Sequence, residues 1–195
     1  MVALDLEGVL VPEIWVAVAE ATGVEALRRT TREVADYDEL MANRLRILDA
    51  NEIPFSVLVE VVRALEPLPG AAEVLRRLRA EVPVVIVSDT YEQLAWPLLH
   101  AIGHPFTLCH RLTLHGDRIV DASIRTPSAK RAAVEGFQSL GYRVAAAGDS
   151  FNDVEMLDAA DRAVLFRPAP AMEDLRPRLP VARTHLELEA ALLPR

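Results

Sequence analysis

Short apolar runs alternate with amphipathic stretches along this chain. Val2 to Leu6 is apolar except for Asp5, the pattern of a short buried parallel strand that ends at an acid. Val82-Pro83-Val84-Val85-Ile86-Val87 is a β-branched run that stops at Ser88-Asp89. Arg143 to Ala147 reads as a strand ending at Gly148-Asp149, and Ala163 to Phe166 as another. Leu108 to Val120 reads as short strands about a turn at Gly116-Asp117. Between these runs the spacing predicts helices over Ala71 to Arg79, about Tyr91 to Ile102, about Ser128 to Leu140, around Met156 and Leu157, and near Leu186 to Leu192.

Strands alternating with helices imply an α/β fold, a parallel sheet covered by helices on both faces. One interval breaks the rhythm. From Glu13 to about Ala64 the pattern is helical, with Ile14, Val18 and Ala21 at helical spacing and Leu40, Arg44, Ile47 and Leu48 repeating it. Pro54 reads as a further helix start, with Val57, Leu58, Val61 and Leu65 on one face. Residues 13–69 are therefore expected to form an inserted helical cap, leaving 1–12 and 70–195 as the catalytic core. The Pro-rich stretch Arg167 to Pro180 reads as surface loop and short turns, and no internal repeat is visible.

Composition narrows the function classes. The 195 residues, 51% of them apolar, suffice for one domain or for a core with a small lid. No run of about 18 uninterrupted apolar residues exists, so no membrane span is expected. The net charge of −8 argues against a nucleic-acid partner, which would require a basic patch. Cys109 is the single cysteine. It excludes an intrachain disulfide, fits a reducing cytoplasm, and reads more simply as a small buried hydrophobe than as a reactive thiol. The chain opens on a working strand without a signal-peptide pattern. A cytoplasmic protein, monomer or homodimer, is expected.

Three strand ends carry polar residues: Asp5 and Glu7; Ser88 and Asp89; Asp149, Ser150, Asn152 and Asp153. Ligands of open α/β sheets bind at the carboxyl ends of the strands. Lys130 opens the helix that leads into the third of these strands. Each residue has an ordinary structural reading. Asp5 could be a turn residue, Ser88 a helix N-cap, Asp89 a first-turn acid, Gly148-Asp149-Ser150 a plain turn and Lys130 a solvated helix charge. Their convergence on one crevice gives them a joint chemistry. Asp5 and Asp149 offer the hard oxygens that Mg²⁺ takes. A carboxylate can act as a nucleophile toward phosphorus. Ser88 and Lys130 can hold and neutralise a phosphoryl group. Glu7 shares the strand face of Asp5 if the strand stays extended, and is a candidate acid/base.

The segments Asp5-Leu6-Glu7-Gly8-Val9-Leu10, Ser88-Asp89-Thr90, Lys130 and Gly148-Asp149-Ser150-Phe151-Asn152-Asp153 resemble, in order, the four motifs of the haloacid dehalogenase superfamily. Longer segments, Leu4 to Trp15, Tyr37 to Leu48 and Ala146 to Asp153, are similar to the bifunctional phosphoserine phosphatase / phosphoserine:homoserine phosphotransferase family. The resemblance implies a Rossmann-like core with a small helical cap after the first strand, a covalent aspartyl-phosphate and Mg²⁺. It implies Asp5 as nucleophile and metal ligand, and Glu7 as acid/base that gives its backbone carbonyl to the metal. Asp149 would be the second side-chain ligand, with Asp153 supporting the metal from behind. Glu13 would meet the substrate ammonium and Arg44 its carboxylate, while Ser88, Asp89, Lys130 and Asn152 would hold the phosphoryl group and its neighbours.

Chemistry alone also suits the pair Glu13 and Arg44 to phosphoserine, since Arg44 offers a bidentate fork to a carboxylate. The competing reading of Arg44 is a surface charge paired along its helix with Glu39 or Asp49. Glu7 departs from the aspartate that most phosphatases of this class carry at that place. Its extra methylene motivates the expectation that homoserine, besides water, accepts the phosphoryl group. The alternatives are a phosphatase of the same superfamily for another small phosphate ester and a phospho-accepting signalling module. The latter would be shorter and would lack the long helical insert.

Overall fold

The computed structural model describes residues 1–31, 33–34, 36–175 and 177–193. Its frame is a seven-stranded sheet in the order β4-β3-β2-β1-β5-β6-β7. The strands are β1 (Val2–Leu4), β2 (Val84–Tyr91), β3 (Thr107–His115), β4 (Arg118–Ser123), β5 (Ala145–Gly148), β6 (Arg162–Phe166) and β7 (Val181–Ala182). All neighbours pair in parallel except β3 and β4, which form the hairpin anticipated at Gly116-Asp117. The helices are α1 (Ile14–Thr22), α2 (Tyr37–Ala50), α3 (Phe55–Ala64), α4 (Ala71–Glu81), α5 (Glu92–Ala101), α6 (Ala129–Ser139), α7 (Val154–Ala159), α8 (Pro170–Leu175) and α9 (His185–Leu192).

The apolar pattern explains how these elements meet. Alternation in the central strands sends Leu4, Ile86, Ala147 and Val164 into one core, and Ala3, Val85, Val87, Ala146 and Leu165 into the other. In α4 the buried Ala71, Val74, Leu75 and Leu78 form a continuous helical stripe. In α2 the buried residues are Leu40, Met41, Arg44 and Leu48, so Arg44 lies on the inward face of its helix. The Asp36 carboxylate caps that helix by accepting the Glu39 N–H at 2.9 Å. Lys130 shares the buried face of α6 with Val134.

The structure departs from the sequence reading in four places. Residues 13–64 are not helical throughout. Gly23, at φ +70°, closes α1, a 3₁₀ turn follows at Glu25–Leu27, and among the described residues no further helix begins before Tyr37. Arg28, Arg29, Thr30 and Thr31 offer no apolar stripe for a helix to bury. β1 stops at Leu4 and bends before Glu7, so Glu7 does not continue an extended strand. β2 runs on through Ser88, Asp89 and Thr90 to Tyr91, which makes Ser88 and Asp89 strand residues instead of a helix start. The Pro-rich stretch holds α8, with Met172 fully buried beneath it; Arg176 within that stretch lies outside the described residues.

Residues 13–69 leave the sheet and return to it at one point. The Leu68 N–H donates to the Leu10 carbonyl at 2.9 Å. Beside this seam the imidazole of His185, 5% exposed, spans the Val9 carbonyl (Nε2, 2.8 Å) and the Pro69 carbonyl (Nδ1, 3.0 Å). At the opposite end the α2–α3 corner is tied to the β3–β4 turn. Arg118 grips Asp49 through two hydrogen bonds of 2.8 and 2.6 Å, and Asp117 receives the Ser56 hydroxyl at 2.6 Å. Among the described residues no helix is long and apolar enough to cross a membrane.

Replacing His185 by leucine leaves two buried carbonyls at the seam without the ring. The expected cost is about 1–3 kcal/mol, read as a lower denaturation midpoint at unchanged m-value. An unaltered midpoint would show that the bridge carries no stability.

Candidate active site

β1 is central, and its pairing sets the site. Leu4 stands opposite both Ile86 of β2 and Ala147 of β5. One residue on, the Asp5 N–H donates to the Ala147 carbonyl at 3.0 Å. Asp5, Ser88 and Asp149 therefore emerge from three adjacent strand ends, at the crevice where the strand order reverses.

Carboxylate oxygens of Asp5, Asp149 and Asp153 lie within 4.8 Å of one another, and all three residues are buried. The Lys130 ammonium, 3% exposed, sits 2.7 Å from Asp153 Oδ1, 2.9 Å from Asp5 Oδ1 and 3.6 Å from Asp89 Oδ2. Asp153 also accepts the N–H groups of Asp149 (2.9 Å) and Ser150 (3.0 Å), closing a capping box over the turn Phe151–Asp153. Two glycines make room for these acids. A Cβ on Gly148 would stand 2.2 Å from the Asp153 Cγ, and one on Gly8, at φ +76°, would stand 2.3 Å from Asp149 Oδ2.

Electrostatics follow from this crowding. Burial, then repulsion from Asp153 and Asp149, holds the Asp5 carboxyl well above the usual range, against the pull of Lys130. Burial would discharge Lys130, but Asp153, Asp5 and Asp89 hold its pKa well above the ordinary value. Burial raises Asp89 as well, yet Lys130, His110 and Asn152 outweigh it and bring the group to about 2. Three buried carboxylates against one ammonium form a donor set with excess negative charge. It fits a hard divalent cation such as Mg²⁺. Asp153 already accepts from two N–H groups and Lys130, so the oxygens of Asp5 and Asp149 are the ones suited to coordinate.

A cavity beside this cluster is lined by Asp5, Glu7, Glu13, Arg44, Ser88, Asp89 and Asn152. With Lys130, Asp149 and Asp153 beneath Asp5, all ten residues singled out from the sequence converge on one place. Glu7 reaches the cavity from the bend after β1, and its carboxylate accepts the Ile14 N–H at 2.8 Å. Burial raises its pKa, opposed by that hydrogen bond and by Arg44. Arg44 is only 4% exposed, which removes the reading of a surface charge. Its Nη2 donates to the Arg29 carbonyl at 2.7 Å and its guanidinium lies 4.6 Å over the Trp15 ring centroid. The buried Nε finds no acceptor among the described residues.

Six further residues line the cavity: Trp15, Thr30, Thr31 and Tyr37, none of which had been marked as polar strand-end residues, and Thr90 and Ser150, which stand in the quoted motifs but were assigned no role. Trp15 and Tyr37 carry the signal of core aromatics. Thr30 and Thr31 lie in the stretch taken for helix, and the Thr31 hydroxyl meets the Ser150 hydroxyl at 3.2 Å.

Comparison with known proteins gives the arrangement its context. Residues 1–161 match the haloacid dehalogenase-like hydrolases. The chain is 48% identical to the "Phosphoserine phosphatase" of Pseudomonas syringae pv. tomato, over 95% of this chain and 79% of that protein. It is 46% identical to the "Phosphoserine phosphatase ThrH" of Pseudomonas aeruginosa, over 97% of this chain and 93% of that one. A solved structure described as a phospho-aspartyl intermediate analogue of phosphoserine phosphatase superposes with a TM-score of 0.79, covering 98% of both chains at 17% identity; that likeness speaks for the fold. A seven-stranded sheet with acids at its central strand ends, a family match over most of the chain and relatives near half identity lead to one assignment: this chain belongs to the haloacid dehalogenase-like hydrolases.

Proposed function

We infer that the protein is a Mg²⁺-dependent phosphoserine phosphatase that works through an aspartyl-phosphate on Asp5 and also passes the phosphoryl group to homoserine. The observation that carries this reading is a single cavity lined by both Asp5 and Arg44, a nucleophile candidate and a buried carboxylate-binding fork. The names of the two Pseudomonas relatives support the substrate class. Residues 13–69, which bring Glu13 and Arg44, act as a cap on a core formed by 1–12 and 70–195. The lone cysteine, buried, is consistent with work in the cytoplasm.

Each step uses groups at stated places. Arg44 binds the substrate carboxylate and Glu13 its ammonium, which aims the phosphate at Asp5. A carboxylate oxygen of Asp5 attacks phosphorus as the bond to the serine oxygen breaks. Glu7, whose proton is favoured by burial, donates it to the departing serine oxygen. Serine leaves, and Glu7, now ionised, takes the proton of the acceptor hydroxyl. The acceptor oxygen attacks phosphorus and Asp5 is released as carboxylate. Lys130, Ser88 and Asn152 hold the phosphoryl oxygens, and Asp89 orients Lys130 and Asn152. Asp5, Asp149 and the Glu7 carbonyl would hold Mg²⁺, which would supply charge neutralisation at the phosphate. When the acceptor is homoserine instead of water, the same Arg44 and Glu13 can bind its carboxylate and ammonium.

Asp5→Asn is expected to lower turnover by about 10⁴-fold or more. Its carboxyl is raised by burial and by neighbouring acids, so removing the charge without divalent cation should retain or increase thermal stability. Substantial residual activity in a folded variant would remove Asp5 as nucleophile. Arg44→Lys keeps the charge but loses the fork. The KM for phosphoserine should rise about 10- to 100-fold, while an aryl phosphate without a carboxylate loses less; equal losses would sink the assignment of Arg44. Phosphoserine supplied with millimolar homoserine should yield phosphohomoserine alongside inorganic phosphate. Phosphate alone in that assay would leave a hydrolase without the transfer activity.

A further inference from the structure

A histidine that the steps above do not use stands behind Asp89, on the side away from the catalytic cavity. His110 lies on β3, opposite Tyr91 of β2, and is 2% exposed. Its Nδ1 accepts the Arg125 backbone N–H at 3.4 Å. Arg125 is itself anchored by side-chain hydrogen bonds to the Cys109 carbonyl and to Glu92. A ring nitrogen that accepts from an amide carries no proton, so the hydrogen of the neutral imidazole resides on Nε2. Nε2 lies 3.2 Å from Asp89 Oδ1 and donates to it. The other oxygen of Asp89 accepts the Asn152 side-chain amide and faces Lys130 at 3.6 Å. The Tyr37 hydroxyl donates to the Asp89 backbone carbonyl. The Tyr37 and Tyr91 rings stand 6.1 and 6.0 Å from the imidazole, centroid to centroid.

We propose that His110 is a positioning residue for phosphoryl transfer: by holding Asp89 Oδ1 it turns Oδ2 toward Asn152 and Lys130, and so fixes the two donors aimed at the transferred group. This rests on the reading of Asp5 as nucleophile. Asp89 is the longest of the three carboxylate contacts of Lys130, at 3.6 Å against 2.9 Å to Asp5 and 2.7 Å to Asp153. Its contribution is therefore direction more than attachment. With Oδ1 released, the Asp89 side chain can rotate, the Asn152 amide loses its acceptor, and the ammonium settles toward Asp5 and Asp153. A histidine that merely filled space would be replaced well by phenylalanine; one that acts through a hydrogen bond would be replaced better by glutamine, whose amide N–H can stand in for Nε2–H.

The test compares wild type, His110→Phe, His110→Gln, Asp89→Asn and the His110→Phe/Asp89→Asn double variant, each loaded with Mg²⁺, on phosphoserine and on p-nitrophenyl phosphate. For His110→Phe, kcat should fall about 10- to 100-fold on both substrates, the range of one hydrogen bond to a charged group expressed as a rate, with KM altered less than about threefold, inside the spread expected of uncoupled sites. Glutamine should restore most of the loss. Phenylalanine should add little to Asp89→Asn, because both changes act through one carboxylate. The proposal is overturned if the two losses multiply, if glutamine is as poor as phenylalanine, or if the loss appears in KM. Should His110→Phe lack a cooperative thermal transition, His110→Asn replaces it. Asparagine is too short to reach Asp89 and should reproduce the loss, and activity equal to that of the glutamine variant overturns the proposal. A wild-type enzyme that turns over p-nitrophenyl phosphate but not phosphoserine counts against the substrate reading alone.

Discussion

Four carboxylates and one ammonium share the end of the central strand, and their mutual neutralisation governs what the rest of the chain can do. An ionised group taken out of water costs several kcal/mol unless partners replace its hydration. Lys130 is buried on the inner face of α6, and three acids converge on it. Each acid is in turn presented by a different strand end or by the turn after β5. The parallel register of β1 with β2 and β5 is thus an electrostatic requirement as much as a packing one. A slip of one residue would turn Asp5 to the opposite face of the sheet and leave the ammonium short of a partner. The positions of Gly8 and Gly148 follow from the same crowding, since side chains there would displace the acids.

Burial and charge divide the cavity into two chemically different halves. On the sheet side, negative charge is concentrated, and burial with the neighbouring acids favours the proton on Asp5 against the pull of Lys130. On the helical side, the Arg44 guanidinium is stacked on Trp15 and tied to the Arg29 carbonyl, with Nε still seeking an acceptor. Glu7 lies between them, its proton favoured by burial and its place set by the Ile14 N–H. A ligand with a phosphate at one end and a carboxylate at the other meets a cation directly in the guanidinium half, whereas in the acidic half its phosphate needs a divalent cation to offset the carboxylates.

How much of this could be read from the chain follows from which features are local. The strands, most helices and the acids at the strand ends announce themselves by period and by punctuation. Arg44 was legible too, because it recurs with Leu40 and Leu48 on one helical stripe, although only the structure distinguishes a buried fork from a surface charge. The stretch from Gly23 to Asp36 was misread. Its placement depends on distant partners, such as Arg44 for Arg29 and Ser150 for Thr31, and no periodicity encodes those. Trp15 and Tyr37 were assigned no role, because an aromatic on a helix has the same sequence pattern whether it packs in a core or lines a cavity. His110 carries no sequence signal, since its relation to Asp89 exists only once β3 is laid beside the extension of β2. The extra length of β2 was missed for a related reason: Asp89 is a poor strand former and, after Ser88, reads as punctuation, so its extended conformation is imposed by neighbours.

The seam where Leu10 and Leu68 meet bears on how such a protein can change over time. Residues 13–69 leave and rejoin the sheet at this seam, secured by His185 from the far end of the chain, and Arg118 and Asp117 of the β3–β4 hairpin hold their α2–α3 corner. Lengthening or shortening what lies between two fixed, adjacent points is thermodynamically mild, about 0.6 kcal/mol for each doubling of a flexible loop. Such a change spares the site where it leaves in place the contacts that reach it from this segment: the Ile14 N–H on Glu7, the Tyr37 hydroxyl on the Asp89 carbonyl and the Thr31 hydroxyl beside Ser150.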